Sequence, residues 1–196
     1  MSWFRSFSFW PARSEKQQMG KRSNFPRRPQ DKYDTPSKGG VALWPFLPKK
    51  RFTYGELCAG RGDLIKAMPD RASCALAVDI KPRAKGIRRM NALNIRERHL
   101  DGVDLLITNP PWTRQLLHLM IEHFAQLRPT WLLFDSDWAY TLQARDLLKC
   151  CRKIVAVGRL RWIPDTPYDG KDNTSWYLFD RTGTYKGATR FYGRAS

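Results

Sequence analysis

The clearest periodic signal in the chain lies at residues 113–127. Leu116, Leu117, Met120, Ile121, Phe124 and Leu127 recur there at helical spacing, which predicts an amphipathic helix. On either side the pattern changes. Residues 103–107 and 130–134 are short apolar runs, the form taken by strands buried on both faces. Strands are also expected at 51–57, 74–80, 154–163 and 175–179, with an edge strand in the middle of 86–95. Helices are expected at 64–68, closed by Pro69, and at 139–150. A short apolar helix at 41–47 is disturbed by Pro45, and Asp34 or Thr35 can cap a helix ahead of Pro36. The Pro/Asp/Gly/Asn-rich stretch 164–174 reads as a loop between the last two strands. Strand and helix alternate and then two strands close the pattern. The expectation is one α/β domain with a single seven-stranded, mostly parallel sheet and helices on both faces.

The flanks lack such periods. Residues 1–32 are rich in Arg, Lys, Pro, Ser and Gln and read as a disordered basic arm ahead of a domain at 33–185. Residues 186–196 read as a basic tail. The arm opens with Trp3, Phe4, Phe7, Phe9 and Trp10, which can stack on bases or dock on a partner; an inert tail is the plain alternative. Arg5 and the serines interrupt this stretch, so it does not read as a signal peptide, and no run of 18 apolar residues predicts a membrane span. Cys58, Cys74, Cys150 and Cys151 form no CxxC pair, which points to a reducing cytoplasm rather than a disulfide framework or a zinc site. A monomer is the default expectation.

Charge changes the picture. The net charge is +17, of which the first 30 residues carry +6, so +11 belongs to the remainder. A surplus of that size on a folded domain favours a polyanionic partner, most simply nucleic acid. Residues 81–98 hold seven Lys/Arg and one Glu. They either contact phosphates or keep a sheet edge unattractive to other strands.

The candidate chemistry sits at two strand ends. The run 103–107 stops at Asn109-Pro110-Pro111-Trp112, because two prolines cannot donate ladder hydrogen bonds. The prolines also stiffen the loop, holding the Asn109 side chain, the Pro110 carbonyl and the Trp112 ring in one arrangement. Such a loop at the carboxyl end of a parallel strand is where open α/β sheets bind ligands. The other strand end is Glu56-Leu57-Cys58-Ala59-Gly60-Arg61-Gly62-Asp63, where Gly60 and Gly62 let backbone approach a ligand closely. The next strand ends in Asp79, placed either to accept hydrogen bonds from ribose hydroxyls or to serve as an ordinary loop carboxylate. His118 and His123, five residues apart, read as surface histidines. Asp135 and Asp137 read as loop or cap residues more readily than as metal ligands, and no metal site is expected.

Taken together, the glycine loop, Asp79 and Asn109-Pro110-Pro111-Trp112 resemble the class I S-adenosylmethionine-dependent methyltransferases, which have a Rossmann-like fold. The Asn-Pro-Pro-aromatic signature resembles their amino-methyltransferases, and the motif order is similar to phage-type DNA N6-adenine methyltransferases. Thr35-Pro36 is similar to a segment preceding their first strand, and Asp172 to Phe179 to their closing strand. The resemblance covers about residues 31–181. It implies that Asn109, Pro110, Pro111 and Trp112 form the catalytic loop. It implies that Thr35, Pro36, Glu56, Cys58, Ala59, Gly60, Gly62, Asp79, Asn91 and Asn109 hold S-adenosyl-L-methionine, with Asp79 on the ribose. Cys58 stands where the family loop often has glycine. Asn91, with Asn94 as the alternative, stands where an acid commonly meets the cofactor's adenine. The implied substrate is an exocyclic amine on a nucleic-acid base, DNA adenine N6 first, in a bacterial or phage-infected cytoplasm. Guanine N2 in RNA and a protein glutamine amide pose the same chemical problem, and a non-catalytic nucleic-acid-binding protein on the same scaffold is the alternative from another class.

Overall fold

The computed structural model describes residues 33–164 and 166–194; the arm at 1–32, with its aromatic start, lies outside the described residues. The chain order is α1 (Ser37–Val41), β1 (Phe52–Glu56), α2 (Asp63–Lys66), β2 (Ala72–Asp79), β3 (Arg88–Arg89), β4 (Leu105–Thr108), α3 (Arg114–Leu127), β5 (Thr130–Asp135), α4 (Arg145–Leu148), β6 (Cys151–Arg159), β7 (Asn173–Phe179) and β8 (Arg190–Tyr192). Short 3₁₀ turns fill several connections, among them Trp44–Phe46, Ala92–Asn94, Ser136–Tyr140 and Leu142–Ala144.

The strands form one sheet in the order β3-β2-β1-β4-β5-β7-β6-β8. Only β7 runs against the others. The sheet therefore has eight strands, not the seven expected. The added strand is β8, which pairs in parallel with β6 through Lys153–Arg190, Ile154–Phe191 and Val155–Tyr192. It lies in the segment read from sequence as a basic tail. Three residues are too few to show an alternating pattern.

Alternation sorts the core. Leu105 and Ile107 of β4, Trp131 and Leu133 of β5, and Trp176 and Leu178 of β7 face one layer with Leu43, Leu47, Leu64 and Met68. Leu106, Leu132, Phe134, Tyr177 and Phe179 face the other layer, which α3 covers with Leu117, Met120, Ile121 and Phe124. Both faces are buried, so these strands are continuously apolar. Each such side chain contributes about 1.5–3 kcal/mol by leaving water.

On the first face α1 lies very close to α2. A Cβ built on Gly40 would stand 2.7 Å from the Cβ of Ala67, and the Trp176 indole donates to the Gly39 carbonyl at 2.8 Å. Gly40→Ala is therefore expected to destabilise the fold by about 1–3 kcal/mol, read as a lower denaturant midpoint at unchanged slope. An unchanged midpoint would show that α1 can move away without loss.

Three local expectations need correction. Residues 139–150 are not one helix, because Thr141 is extended (φ −88°, ψ 148°) and divides the stretch into two 3₁₀ turns and the four-residue α4. Neither Asp34 nor Thr35 caps α1, whose N-cap is Pro36 with no side-chain bond. His118 and His123 are half-buried rather than surface groups. His118 accepts from the Trp138 indole at 2.9 Å, and His123 Nε2 lies 2.8 Å from the Ile95 carbonyl. Part of the positive charge is also spent inside the fold: Arg128 donates to the Val103, Leu100 and Leu127 carbonyls, and Arg71 to those of Pro48 and Trp44.

Candidate active site

The carboxyl ends of β1, β2 and β4 open into one cavity. Its lining includes Thr35, Glu56, Cys58, Ala59, Gly60, Asp79, Asn91, Asn109 and Pro111, nine of the residues expected at the site. Two segments far apart in sequence thus meet: the glycine loop after β1 and the Asn-Pro-Pro-Trp loop after β4. Pro36, Gly62, Pro110 and Trp112 do not line the cavity. Gly62 is buried with φ 77°, the left-handed conformation needed to turn the chain into α2, and its N–H donates to the Ala59 carbonyl at 2.6 Å. Gly60 is also left-handed, at φ 52°.

Glu56 lies at the floor, 1% exposed. The Thr108 hydroxyl donates to its Oε1 at 2.9 Å and accepts the Cys58 N–H at 3.1 Å. Its other oxygen, Oε2, is buried with no hydrogen-bond partner. Burial raises the carboxyl pKa to about 8, with the nearby Asp79 charge adding to the rise and the Thr108 hydrogen bond opposing it. Thr108 was not singled out from sequence; its signal is a hydroxyl closing an otherwise apolar strand. Burial, then the Glu56 charge, pushes the Cys58 thiol well above its ordinary range, so it is protonated and unreactive at neutral pH.

Asp79 ends β2. One carboxylate oxygen accepts the Gly60 N–H at 2.8 Å and the other the Lys81 N–H at 2.7 Å. The carboxylate is fixed in direction, and each oxygen keeps lone pairs for another donor. Asn91 sits across the cavity, where its Oδ1 caps the Ala92–Asn94 turn by accepting the Leu93 N–H at 3.0 Å. This cap is a local reason for an amide at that position. Asn94 does not line the cavity.

The Asn109 amide is held at both ends. The Trp112 indole donates to one side at 3.3 Å, and an indole N–H can only donate, so that side is Oδ1. Nδ2 then donates to the Thr35 hydroxyl at 3.1 Å. Trp112 itself meets the edge of Trp162 (centroids 5.4 Å, interplanar 86°). Trp162, from the loop after β6, and Thr35 were not expected as partners of this loop.

Residues 33–36 form a strap over the glycine loop. Asp34 pairs with both Arg83 and Arg61, and the Arg83 N–H donates to the Gly60 carbonyl at 2.9 Å. A side chain on Gly60 would run into the Arg83 guanidinium at 3.0 Å.

Solved structures share this fold. A Listeria monocytogenes protein assigned to the class I S-adenosylmethionine-dependent methyltransferases superposes with TM-score 0.52 at 12% identity, over 82% of this chain and 65% of that one. The chain has the class I methyltransferase fold. A modification subunit assigned to a type I restriction enzyme of Vibrio vulnificus gives TM-score 0.52 at 15% identity, over 82% and 46% of the two chains. The M protein of the type I restriction enzyme EcoKI gives 0.52 at 13%, over 84% and 49%. The chain thus spans between about half and two thirds of the length of these structures. No protein-family model matches it, and no curated protein does. Among the described residues no helix is long and apolar enough to cross a membrane, and no group of three or more His, Cys, Asp or Glu is placed to hold a metal ion. Asp135 instead caps the turn after β5 by accepting the Asp137 N–H at 3.0 Å.

Proposed function

We propose that the chain is an S-adenosylmethionine-dependent methyltransferase acting on an exocyclic amino nitrogen of a nucleic-acid base, with adenine N6 of DNA as the substrate. The observation that carries this is the meeting of Asn109 with Glu56, Gly60 and Asp79 in one cavity. The site fits the cofactor. The unpartnered Glu56 Oε2 belongs to a buried carboxyl that becomes an anionic acceptor when a cation arrives, and the cofactor's ammonium supplies that cation. Asp79 presents two oriented oxygens to the ribose hydroxyls. Asn91 keeps its Nδ2 and a lone pair on Oδ1 for the adenine edge.

When bound, the cofactor supplies a sulfonium methyl group, an electrophile needing no further activation. The protein's task is the nucleophile. The lone pair of an exocyclic amine is delocalised into the ring. Asn109 Oδ1 and the Pro110 carbonyl, aimed at the two N–H bonds, localise it and stabilise the positive charge growing on nitrogen. Positioning in line with the methyl group accounts for the rest. The methyl group would come from the cofactor's carbon–sulfur bond, and the amine held by Asn109 and Pro110 would release its proton to solvent. Trp112 offers a ring for the base to stack on, a contact worth about 1–3 kcal/mol.

The charge favours nucleic acid over a protein amide. Arg88, Arg89, Arg96 and Arg98 are exposed along the β3 end of the sheet, and partial burial together with Arg98, Arg88 and Arg96 holds the His99 pKa below its ordinary value. Lys81 and Arg83 carry this positive field to the cavity. Incubation with methyl-labelled S-adenosylmethionine and, separately, duplex DNA, single-stranded DNA, ribosomal RNA and a glutamine-bearing protein tests the reading. Label in DNA recovered as N6-methyladenine is expected. Label confined to RNA or protein would sink the substrate, and cofactor binding with no transfer to any of them would sink the activity.

A further inference from the structure

We infer that Tyr140 and Leu142 form an apolar wedge that enters stacked duplex DNA and opens it at the target base. The inference rests on the proposed function and names the surface that delivers the base. Tyr140 is 87% exposed and Leu142 88%, far more than the other exposed large apolar side chains of the described residues. They flank Thr141, whose extended backbone interrupts the 3₁₀ turns after β5. β5 lies beside β4 and parallel to it, so this stretch rises from the same carboxyl rim as the Asn-Pro-Pro-Trp loop.

The exposure is built, not loose. On one side the stretch is anchored by Trp138, which is 3% exposed and packs edge-on against Phe134, Tyr177 and Phe179. The Trp138 indole donates to His118 of α3; an indole only donates, so His118 Nε2 is unprotonated there. On the other side Ala144 and Leu147 are buried. Gln143, between Leu142 and Ala144, accepts from Arg114 at 3.3 Å, and Arg114 begins the helix that follows Trp112. Two large apolar side chains are thus held in solvent by a fixed frame, tied to the catalytic loop's own helix.

Exposed apolar groups cost free energy unless something covers them. Arg145 is exposed on this stretch and Arg114 at the adjoining start of α3, among the exposed acids Asp137 and Asp146, and the chain as a whole is strongly cationic, which suits a phosphate backbone beside an inserted wedge. Proteins that unstack a duplex use this combination, apolar side chains between base steps with cations on the backbone. The cavity needs it, because an exocyclic amine inside a duplex cannot reach Asn109 until its base leaves the stack.

The test uses the full chain and the double variant Tyr140→Ala/Leu142→Ala. The probe is a mixed-sequence duplex with 2-aminopurine in place of several adenines, whose fluorescence rises on unstacking. The wild type is expected to raise the signal, and the variant to bind with the same salt slope but lose most of the rise. With unmodified DNA, the ratio of duplex to single-strand methylation is expected to fall about tenfold in the variant, since a base already unstacked needs no wedge. Equal fluorescence for the two proteins overturns the inference. So does an equal loss on duplex and single strand, or a variant altered only in sedimenting as a monomer where the wild type is a dimer. Unstacking without methylation by the wild type would keep the wedge and reject the proposed activity, so the two fail separately.

Discussion

Replacing Asn109 with alanine is expected to slow methyl transfer by ~10²–10³-fold while changing cofactor affinity by less than about tenfold. The loss follows from geometry. Only Asn109 Oδ1 among the loop's side-chain atoms is an acceptor set by two independent partners, Trp112 on the oxygen and Thr35 on the amide nitrogen. Alanine removes the acceptor and leaves the cradle of Glu56, Gly60 and Asp79 in place. Single-turnover rates with saturating cofactor separate the two effects. Asn109→Asp is a sharper companion: its carboxylate is a stronger acceptor, and the Thr35 hydroxyl would have to reverse its role and donate to it. If Asn109→Ala transfers methyl at the wild-type rate, this loop does not perform the chemistry.

Cofactor affinity is expected to tighten by about tenfold or more between pH 6 and pH 7.5. Glu56 has a folded-state pKa of about 8, against an ordinary 4.5. Over most of that window the empty site holds a protonated carboxyl. Pairing with an ammonium requires the carboxylate, so binding releases a proton and strengthens by up to about tenfold per pH unit below 8. Titration calorimetry in two buffers of different ionisation enthalpy counts the proton. Glu56→Gln should weaken binding and flatten the dependence. The same shift acts on stability with its own sign. Between pH 4.5 and about 8 the folded state keeps a proton that the unfolded state has lost, so the empty protein loses stability as pH rises, by up to about 1.4 kcal/mol per unit. Below 4.5 and above about 8 this contribution is constant. A pH-independent affinity would place the ammonium elsewhere.

Local pattern carried the fold a long way. The apolar runs that became β4, β5 and β7 were readable because both faces of those strands are buried, which needs no knowledge of partners. The stretch 139–150 misled for the opposite reason. Tyr140 and Leu142 fall inside the helix expected there, yet they stand in solvent, and the extended Thr141 lies between them. The site divided along similar lines. Glu56, Asp79 and Asn109 sit at strand ends, where topology makes function legible. Thr108, Asp34 and Trp162 act through partners 27 or more residues away; Arg83 meets Asp34 across 49 positions and Asn109 meets Thr35 across 74. Nothing in a local period encodes such a meeting. Asn91 is intermediate: its departure from an acid is visible in the sequence, and its service as a cap for Leu93 only in the structure.

The strap at residues 33–36 has a consequence for order of binding. Asp34 grips the arginines over the glycine loop, and the next residue, Thr35, grips the Asn109 amide. One short segment therefore touches the cofactor side and the substrate side together. A ligand that shifts the strap from one side alters the other, and thermodynamic reciprocity requires equal factors in both directions. If the cofactor tightens DNA binding fivefold, DNA must tighten cofactor binding fivefold. The protein would then favour assembling both ligands over holding either alone.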